Sequence, residues 1–391
     1  MSKEKHNSQV ALIYHINLNH LSLSGLDRNA YVDQYLAEMV QHIKVRAAIS
    51  IPAEDLIYLQ LNSPETYRDL VSNPNVTFLL STYAHVIAGI DFDMYLEHVN
   101  LGAELLRAHI PTDKIVDVGY PSEVEAPPAS LVEDVHKLWK TILLGDTRIF
   151  PKLDADHICW QSPSGVHFPT IVSRRETQYR PEFHRFFREE APANDVVSAL
   201  RDDAKKWSTS IGHVSRIDME APLFNEVKYP DGRSTGPRID LWVKLQNHYA
   251  KFPELFTSIS EIILNAGRSR LPSRHLSHDP IEDQKWQFHD HVATVGRSGD
   301  AVVRGTQAWY QWMSMHHSDY FCTKKDDLLF KASGDGQIRI VKGQAYREPE
   351  LMAKFALLEG NNYAGDDKML GDYLENMRQV YAYLTERDDE K

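Results

Sequence analysis

Short apolar segments alternate with amphipathic segments along most of this sequence. Apolar residues at spacings of three and four predict helices over residues 29–46, 92–110, 131–139, 195–206 and 239–250. Continuous apolar segments between them are typical of buried strands and cover residues 10–17, 47–51, 76–82, 115–118, 141–146 and 212–218. We interpret residues 158–175 as an extended excursion and residues 256–263 as a last strand. This order indicates an α/β fold in which helices cover a parallel sheet.

Several of the predicted strands end on or beside an ionisable side chain. The residues at these ends are His15, His85, Glu123 and Asp146. In an α/β barrel the carboxyl ends of all strands open on one face, which carries the chemistry. The recurrence of ionisable residues at strand ends therefore predicts one shared site.

Glu123 belongs to the segment Gly119-Tyr-Pro-Ser-Glu123, which follows the apolar strand 115–118. We expect Gly119 and Pro121 to end this strand, because proline has no N–H for a ladder hydrogen bond. Glu123 would then be held on a rigid turn at the carboxyl end of a strand. An exposed loop glutamate is the alternative interpretation of this segment.

A second pair of acids, Asp218 and Glu220, follows the predicted strand 212–218. Alternation places both side chains on one side if the strand continues, although solvated loop acids remain the alternative. Together with Glu123, they would supply two carboxylates at one barrel mouth. Glycoside hydrolysis uses such a pair, one as nucleophile or base and the other as proton donor.

These segments resemble motifs of glycoside hydrolase family 57, a retaining family that acts mainly on α-glucans. Four of its five motifs have counterparts in the right order across most of the chain. They are Ser81-Thr-Tyr-Ala-His85, Gly119-Tyr-Pro-Ser-Glu123, Ile217-Asp-Met-Glu220 and His317-Ser-Asp319-Tyr-Phe321. Asp146 also lies where the family ends a strand with an aspartate near the sugar.

The resemblance implies a (β/α)7-type barrel with a helical C-terminal region. The chain itself changes from alternating strands and helices to mainly helical periodicity, which predicts a catalytic barrel domain, residues 1–265, and a helical region, residues 266–391, with helices over 302–315 and 370–384. Glu123 would be the nucleophile and Asp218 the general acid/base, without a cofactor. Nearby Glu220 would help Asp218 to keep its proton near neutral pH. The candidates for binding the sugar are His15, His85, Asp146, Glu220 and Asp319.

The sequence departs from the family pattern at several positions that shape sugar binding. The first family motif is His-Gln-Pro, whereas this chain has His15-Ile-Asn-Leu-Asn-His20. The second motif lacks the usual proline after His85, and Ala221 replaces the aromatic residue after the acid/base motif. The resemblance therefore implies an α-glucan or α-linked oligosaccharide as substrate, without fixing which one.

Composition excludes several other classes of function. The net charge of −12 disfavours a nucleic-acid partner, and two cysteines are too few for a disulfide framework. No segment has the length of a membrane span or of a signal-peptide core, so we predict a soluble cytoplasmic protein. The sequence also lacks the nucleophile elbow, the P-loop and the dinucleotide fingerprint.

Two alternatives to a glycoside hydrolase stay open. A metal-dependent carbohydrate deacetylase would need an Asp/His/His set, and the histidine pairs of this chain, such as His289 with His291 and His316 with His317, lack convincing spacing. We therefore expect no metal site. The second alternative is a carbohydrate-binding protein that has the barrel but no catalytic activity.

Overall fold

Seven parallel strands form one curled sheet with helices against its outer face. This arrangement confirms the predicted (β/α)7-type barrel. The computed structural model of the protein describes residues 9–18, 31–83, 92–121, 131–145, 157–161, 167–173, 180–207, 212–219, 238–268, 273–275, 330–332 and 338–340.

The strands and helices are numbered in chain order. The strands are β1 Val10–His15, β2 Ala47–Ser50, β3 Val76–Ser81, β4 Ile115–Tyr120, β5 Thr141–Gly145, β6 His157–Gln161, β7 His167–Ser173, β8 His213–Asp218, β9 Ser273–His275, β10 Phe330–Ala332 and β11 Ile338–Ile340. The helices are α1 Ala37–Gln41, α2 Ala53–Asn62, α3 Pro64–Ser72, α4 Phe92–His109, α5 Val132–Leu138, α6 Pro181–Phe187, α7 Ala193–Trp207, α8 Ile239–Tyr249 and α9 Ile259–Arg268. A π-helical turn, Val32–Leu36, precedes α1, and short 3-10 helices cover Thr112–Lys114 and Pro253–Leu255.

The parallel strands follow the order β8-β1-β2-β3-β4-β5-β7, and β6 then pairs antiparallel with β7. The short strand β9 pairs in parallel with β6 at the far edge, while β10 and β11 form a separate antiparallel pair. Residues of β7 lie close to residues of β8, which shows how strongly the sheet curls. The carboxyl ends of the seven parallel strands therefore meet at one rim.

Side chains alternate between the two faces of the sheet, as strand geometry requires. In β1, Val10, Leu12 and Tyr14 pack outward against the helices, whereas Ala11 and Ile13 belong to the apolar interior of the barrel. The other strand residues of this interior cluster are Ala48, Leu79, Val116, Val118, Tyr120, Leu143, Ile171 and Val214. The interior is therefore apolar over most of its height.

Helix α9 closes the end of the barrel opposite the rim. Its residues Ile259 and Ile262 belong to the interior cluster, and the N–H of Thr257 donates to the carbonyl of Val10 at the start of β1. A salt bridge of 3.1 Å joins Glu261 of this helix to Arg46 just before β2. Among the described residues, α9 therefore blocks the end of the barrel opposite the rim.

Helix α4 packs unusually closely on the end of β3. A Cβ atom on Gly102 would overlap the backbone of Ser81 and Thr82, so only glycine allows this approach. Leu96, Val99, Ala103 and Leu106 of this helix pack against the core, in agreement with the helix predicted over residues 92–110. This close contact fixes the carboxyl end of β3 relative to the outer layer.

Two predictions of secondary structure are wrong. Residues 256–263 are not a strand: Phe256 makes a single bridge to Val10, and α9 begins at Ile259. The apolar residues Ile259, Ile262 and Ile263 have helical spacing, which a short window does not distinguish from a buried strand. Residues 158–175, predicted as an extended excursion, do not leave the barrel either: residues 158–161 belong to β6, which pairs with β7, and β7 pairs in parallel with β5.

The division of the chain at residue 265 stays a prediction. Residues 302–315 and 370–384, predicted as helices, lie outside the described residues. The described parts of this region are the end of α9, residues 266–268, and the short strands β9, β10 and β11. In the part of the chain that the structure describes, no helix is long and apolar enough to cross a membrane.

Candidate active site at the carboxyl ends of the strands

His15 is the last residue of β1, and both neighbouring strands hold its backbone. The N–H of Met219 donates to the His15 carbonyl at 2.8 Å, and the N–H of Ile16 donates to the Ser50 carbonyl at the same distance. The His15 Nδ1 lies 3.3 Å from Ser50 Oγ. The register places His15 directly opposite Ser50 on one side and Asp218 on the other. The structure therefore brings together His15 and Asp218, two of the residues predicted from the sequence.

Tyr120 links this corner to the opposite wall of the barrel. Its ring stacks on the His15 ring with centroids 5.0 Å apart and an angle of 16° between the planes. Its hydroxyl accepts a hydrogen bond of 2.8 Å from Nη1 of Arg216, on β8. Strands β1, β2 and β3 lie between β4 and β8 in the sheet, so this contact crosses the barrel interior. An aromatic and guanidinium layer therefore covers the apolar interior below the rim.

Asp218 lies above this layer, at the end of β8. Its Oδ1 is 4.0 Å from Nε of Arg216, and the side chain is 23% exposed, whereas that of Arg216 is 7% exposed. A guanidinium at this distance favours the ionised carboxylate over the protonated form. The expectation that Asp218 holds a proton near neutral pH stays a prediction.

Hydrogen bonds also order the segments that follow β1, β2 and β3. Asp55 Oδ2 accepts from the N–H of Leu18 at 2.9 Å, and Asp55 is completely buried. The N–H groups of Ala53 and Glu54 donate to the carbonyls of Thr82 and Tyr83 at 3.1 and 3.0 Å. Consequently, α2 begins in a fixed position beside the rim.

Gly119 has a packing role within the segment that leads to Glu123. The sequence predicts that it ends the strand, but β4 continues through Gly119 to Tyr120. A Cβ atom at this position would overlap the indole ring of Trp139, which is completely buried. Glycine is therefore needed for the close approach of Trp139 to the sheet.

The remaining predicted site residues, Glu123, His85, Asp146, Glu220 and Asp319, lie outside the described residues. Their roles stay predictions. The same holds for the absence of a metal site, because the histidine pairs named above lie outside as well. In the described ranges, no group of three or more His, Cys, Asp and Glu side chains is placed to hold a metal ion.

Sequence reasoning missed Arg216 and the role of Tyr120. Arg216 precedes Asp218 by two positions in a strand, so alternation could have placed both side chains on the same face. Tyr120 lies in the quoted segment Gly119-Tyr-Pro-Ser-Glu123, but its contact with Arg216 joins residues 96 positions apart. No local sequence pattern encodes such a contact.

Solved structures with a similar fold include several carbohydrate-active enzymes. The 4-α-glucanotransferase from Thermococcus litoralis matches with a TM-score of 0.53 and 12% identity, over 96% of this chain and 60% of that enzyme. Two branching enzymes of glycoside hydrolase family 57 match over 94% of each chain: the enzyme from Thermococcus kodakaraensis with a TM-score of 0.48 and 9% identity, and that from Pyrococcus horikoshii with 0.46 and 10%.

The structural similarity to the glucanotransferase supports the barrel fold. It does not support a shared activity, because the sequence identity is only 12%. The chain spans 60% of the length of that enzyme. No protein-family profile and no curated protein matches the sequence.

Proposed function

We propose that this protein is a retaining glycoside hydrolase or transglycosylase that acts on an α-glucan or an α-linked oligosaccharide. Glu123 is the nucleophile and Asp218 is the general acid/base. We propose further that His15, His85, Asp146, Glu220 and Asp319 bind the sugar, that the reaction needs no cofactor, and that the protein acts in the cytoplasm. The barrel fold and the order of the sequence motifs support this assignment.

The hydrogen bond between Tyr120 and Arg216 is the observation that carries the proposal. Glu123 follows Tyr120 by three residues, so covalent geometry keeps the two Cα atoms within about 11 Å. Asp218 follows Arg216 by two residues and ends the same strand. The contact therefore joins β4, which precedes Glu123 in the chain, to β8, which ends at Asp218. This supports the carboxylate pair that glycoside hydrolysis requires.

In the first step a carboxylate oxygen of Glu123 attacks the anomeric carbon, and the bond from that carbon to the leaving oxygen breaks. Asp218 gives its proton to the leaving oxygen and becomes a carboxylate. In the second step, water or an acceptor sugar gives a proton to Asp218 and attacks the anomeric carbon, which releases Glu123. Retention predicts that the carboxyl groups are about 5–5.5 Å apart.

The test is incubation with a panel of activated α- and β-glycosides, with the anomer of the first product identified by NMR. We expect an α product from an α substrate. Glu123→Gln should abolish turnover, and Asp218→Asn should lower it by about 10²–10⁴-fold on substrates with poor leaving groups. Asp117→Asn is the matched control, because Asp117 lies on the same strand as Tyr120 with its side chain 56% exposed.

Four outcomes would refute the proposal. A β product from an α substrate would show inversion of configuration. Full activity of the Glu123→Gln variant would show that Glu123 is not the nucleophile. Acetate release that a chelator abolishes would identify a metal-dependent deacetylase instead. Oligosaccharide binding without turnover across the panel would indicate a protein that binds carbohydrate but does not catalyse its cleavage.

A further inference from the structure

Arg216 is a buried cation with two described partners, one on each side of the barrel interior. It donates to the Tyr120 hydroxyl at 2.8 Å and lies 4.0 Å from the Asp218 carboxylate. Below it, Val118 and Val214 belong to the apolar interior. Its guanidinium carbon is also 5.8 Å from the centroid of the Tyr120 ring. A guanidinium therefore occupies the boundary between the apolar interior and the rim.

A purely structural link between β4 and β8 would not require a charge at this position. Burying a guanidinium is unfavourable unless it is paired, and well-packed apolar residues usually serve equally well as links. The charge lies beside Asp218, the residue whose own charge changes during the proposed reaction. The position of Arg216 thus matches an electrostatic role better than a packing role.

We propose that Arg216 is a positioning residue that stabilises the carboxylate of Asp218 as this residue gives its proton to the leaving oxygen. This inference rests on the proposed function and assigns a role to a residue outside the motifs. Tyr120 fixes the guanidinium from the opposite wall, and His15 in turn stacks on Tyr120. These contacts restrain the guanidinium beside Asp218.

In the first step of the proposed reaction, Arg216 acts on the charge that develops on Asp218. The negative charge of Asp218 develops as the proton moves, and a fixed cation nearby stabilises that charge without reorganising. This assistance matters when the leaving group is a sugar, which must be protonated. It does not matter when the leaving group is fluoride, which departs without protonation.

The experiment compares two probes, maltotetraose and α-maltosyl fluoride. With maltotetraose, Arg216→Gln should lower kcat roughly 10- to 100-fold, a part of the whole effect of general acid catalysis. With the fluoride, the pre-steady-state burst of fluoride release should stay within a factor of about three, since no proton is needed. Arg216→Lys should recover much of the lost activity on maltotetraose, because it retains the charge.

Tyr120→Phe is the second variant, since it removes the hydroxyl that Arg216 binds and keeps the ring that stacks on His15. We expect the same dependence on the leaving group, with a smaller loss. Arg107→Gln is the matched control, because Arg107 also pairs with an aspartate, Asp117, at 3.2 Å, but with its side chain 41% exposed. It should turn over both probes like the wild type.

Equal losses on both probes in Arg216→Gln would overturn the inference and leave a structural link. If that variant does not fold, Arg216→Lys and Tyr120→Phe decide the question in the same way: equal losses on both probes refute the role, and a loss confined to maltotetraose supports it. Absence of turnover by the wild-type protein on either probe and across the glycoside panel would refute the proposed function itself, and the inference with it.

Discussion

A buried ion pair on the outer face of the barrel gives the sharpest prediction of stability. Asp203 of α7 pairs with Arg180 at the start of α6, and Nε2 of His213 on β8 lies 3.8 Å from the same carboxylate oxygen. The Arg180 side chain is 3% exposed and that of Asp203 is 14% exposed. The pair therefore connects two helices to the barrel wall with little access to water.

The perturbation is Asp203→Asn, which keeps the size of the side chain and removes its charge. A guanidinium left buried without its countercharge typically costs about 3–5 kcal/mol, whereas an exposed pair contributes about 0–1 kcal/mol. With domain stabilities of about 5–15 kcal/mol, the variant would lose roughly a fifth or more of its free energy of unfolding. For an m-value near 3 kcal/mol/M, the urea midpoint should fall by about 1 to 1.7 M.

The assay is equilibrium unfolding in urea, followed by circular dichroism. Asp202→Asn is the matched control, because Asp202 is the preceding residue of the same helix, its side chain is 74% exposed and it pairs with Lys205 at 3.5 Å. Its free energy of unfolding should change by less than about 0.5 kcal/mol. An Asp203→Asn variant that unfolds at the same urea concentration as this control would refute the reasoning.

A double variant separates the charge from the packing. Replacing both partners, Arg180→Met with Asp203→Leu, removes the buried charges together, and such replacements are often neutral or stabilising. We therefore expect the double variant to be more stable than Asp203→Asn alone. A double variant that is less stable would show that the two side chains contribute mainly through their shape or through other contacts.

Three further predictions concern other parts of the barrel. Gly119→Ala should cost about 1–3 kcal/mol in thermal unfolding, because the new methyl group overlaps the Trp139 ring, and adding Trp139→Leu should restore part of the loss. Tyr14→Phe removes the buried acceptor that binds Nε2 of Gln246 at 2.9 Å and should lower the free energy of unfolding in urea by about 1–3 kcal/mol. Hydrogen bonds from a hydroxyl, a backbone N–H and a guanidinium lower the pKa of Glu261 from its usual 4.5. The ionised Glu261 carboxylate therefore stabilises the fold above that pH, and this contribution is lost as the pH falls through the pKa of the folded state. Glu261→Gln should therefore lower the thermal midpoint at pH 7 but not at pH 2, and equal losses at both would contradict this assignment.

The sequence was sufficient to predict the convergence of the strand ends. His15 and Asp218 end adjacent parallel strands, and parallel pairing aligns carboxyl ends regardless of the loops between them. The apolar runs that predicted these strands are buried on both faces, as parallel sheets require. This part of the fold is encoded in periodicity, so local patterns reveal it.

Features that depend on close packing or on long-range contacts were missed. The sequence suggests that Gly119 ends a strand, because glycine weakens strands in general. The strand in fact continues, and glycine is needed at this position because the indole ring of Trp139 packs against it. Residues 256–263 carry apolar residues compatible with a strand or a helix, and only the barrel end that α9 closes selects the helix. The contact of Arg216 with Tyr120 exists because the sheet curls.

The apolar interior of the barrel lies below the polar residues of the rim, and this order of layers constrains where the proposed site can lie. In the part of the chain that the structure describes, the interior below Tyr120 and Arg216 is filled with apolar side chains and α9 packs at its far end, which favours the rim as the place of the proposed sugar site. The polar side chains at the rim extend from strands that are hydrogen-bonded to their neighbours in the sheet. The hydrogen bond from Arg216 to Tyr120 links two of these strands across the interior. Glu123 follows Tyr120 by three residues and Asp218 follows Arg216 by two, so we expect the separation of their carboxylates in the proposed site to depend on the curl of the sheet. We therefore expect loss of the contact to lower activity, because a retaining reaction tolerates only a narrow range of carboxylate distances.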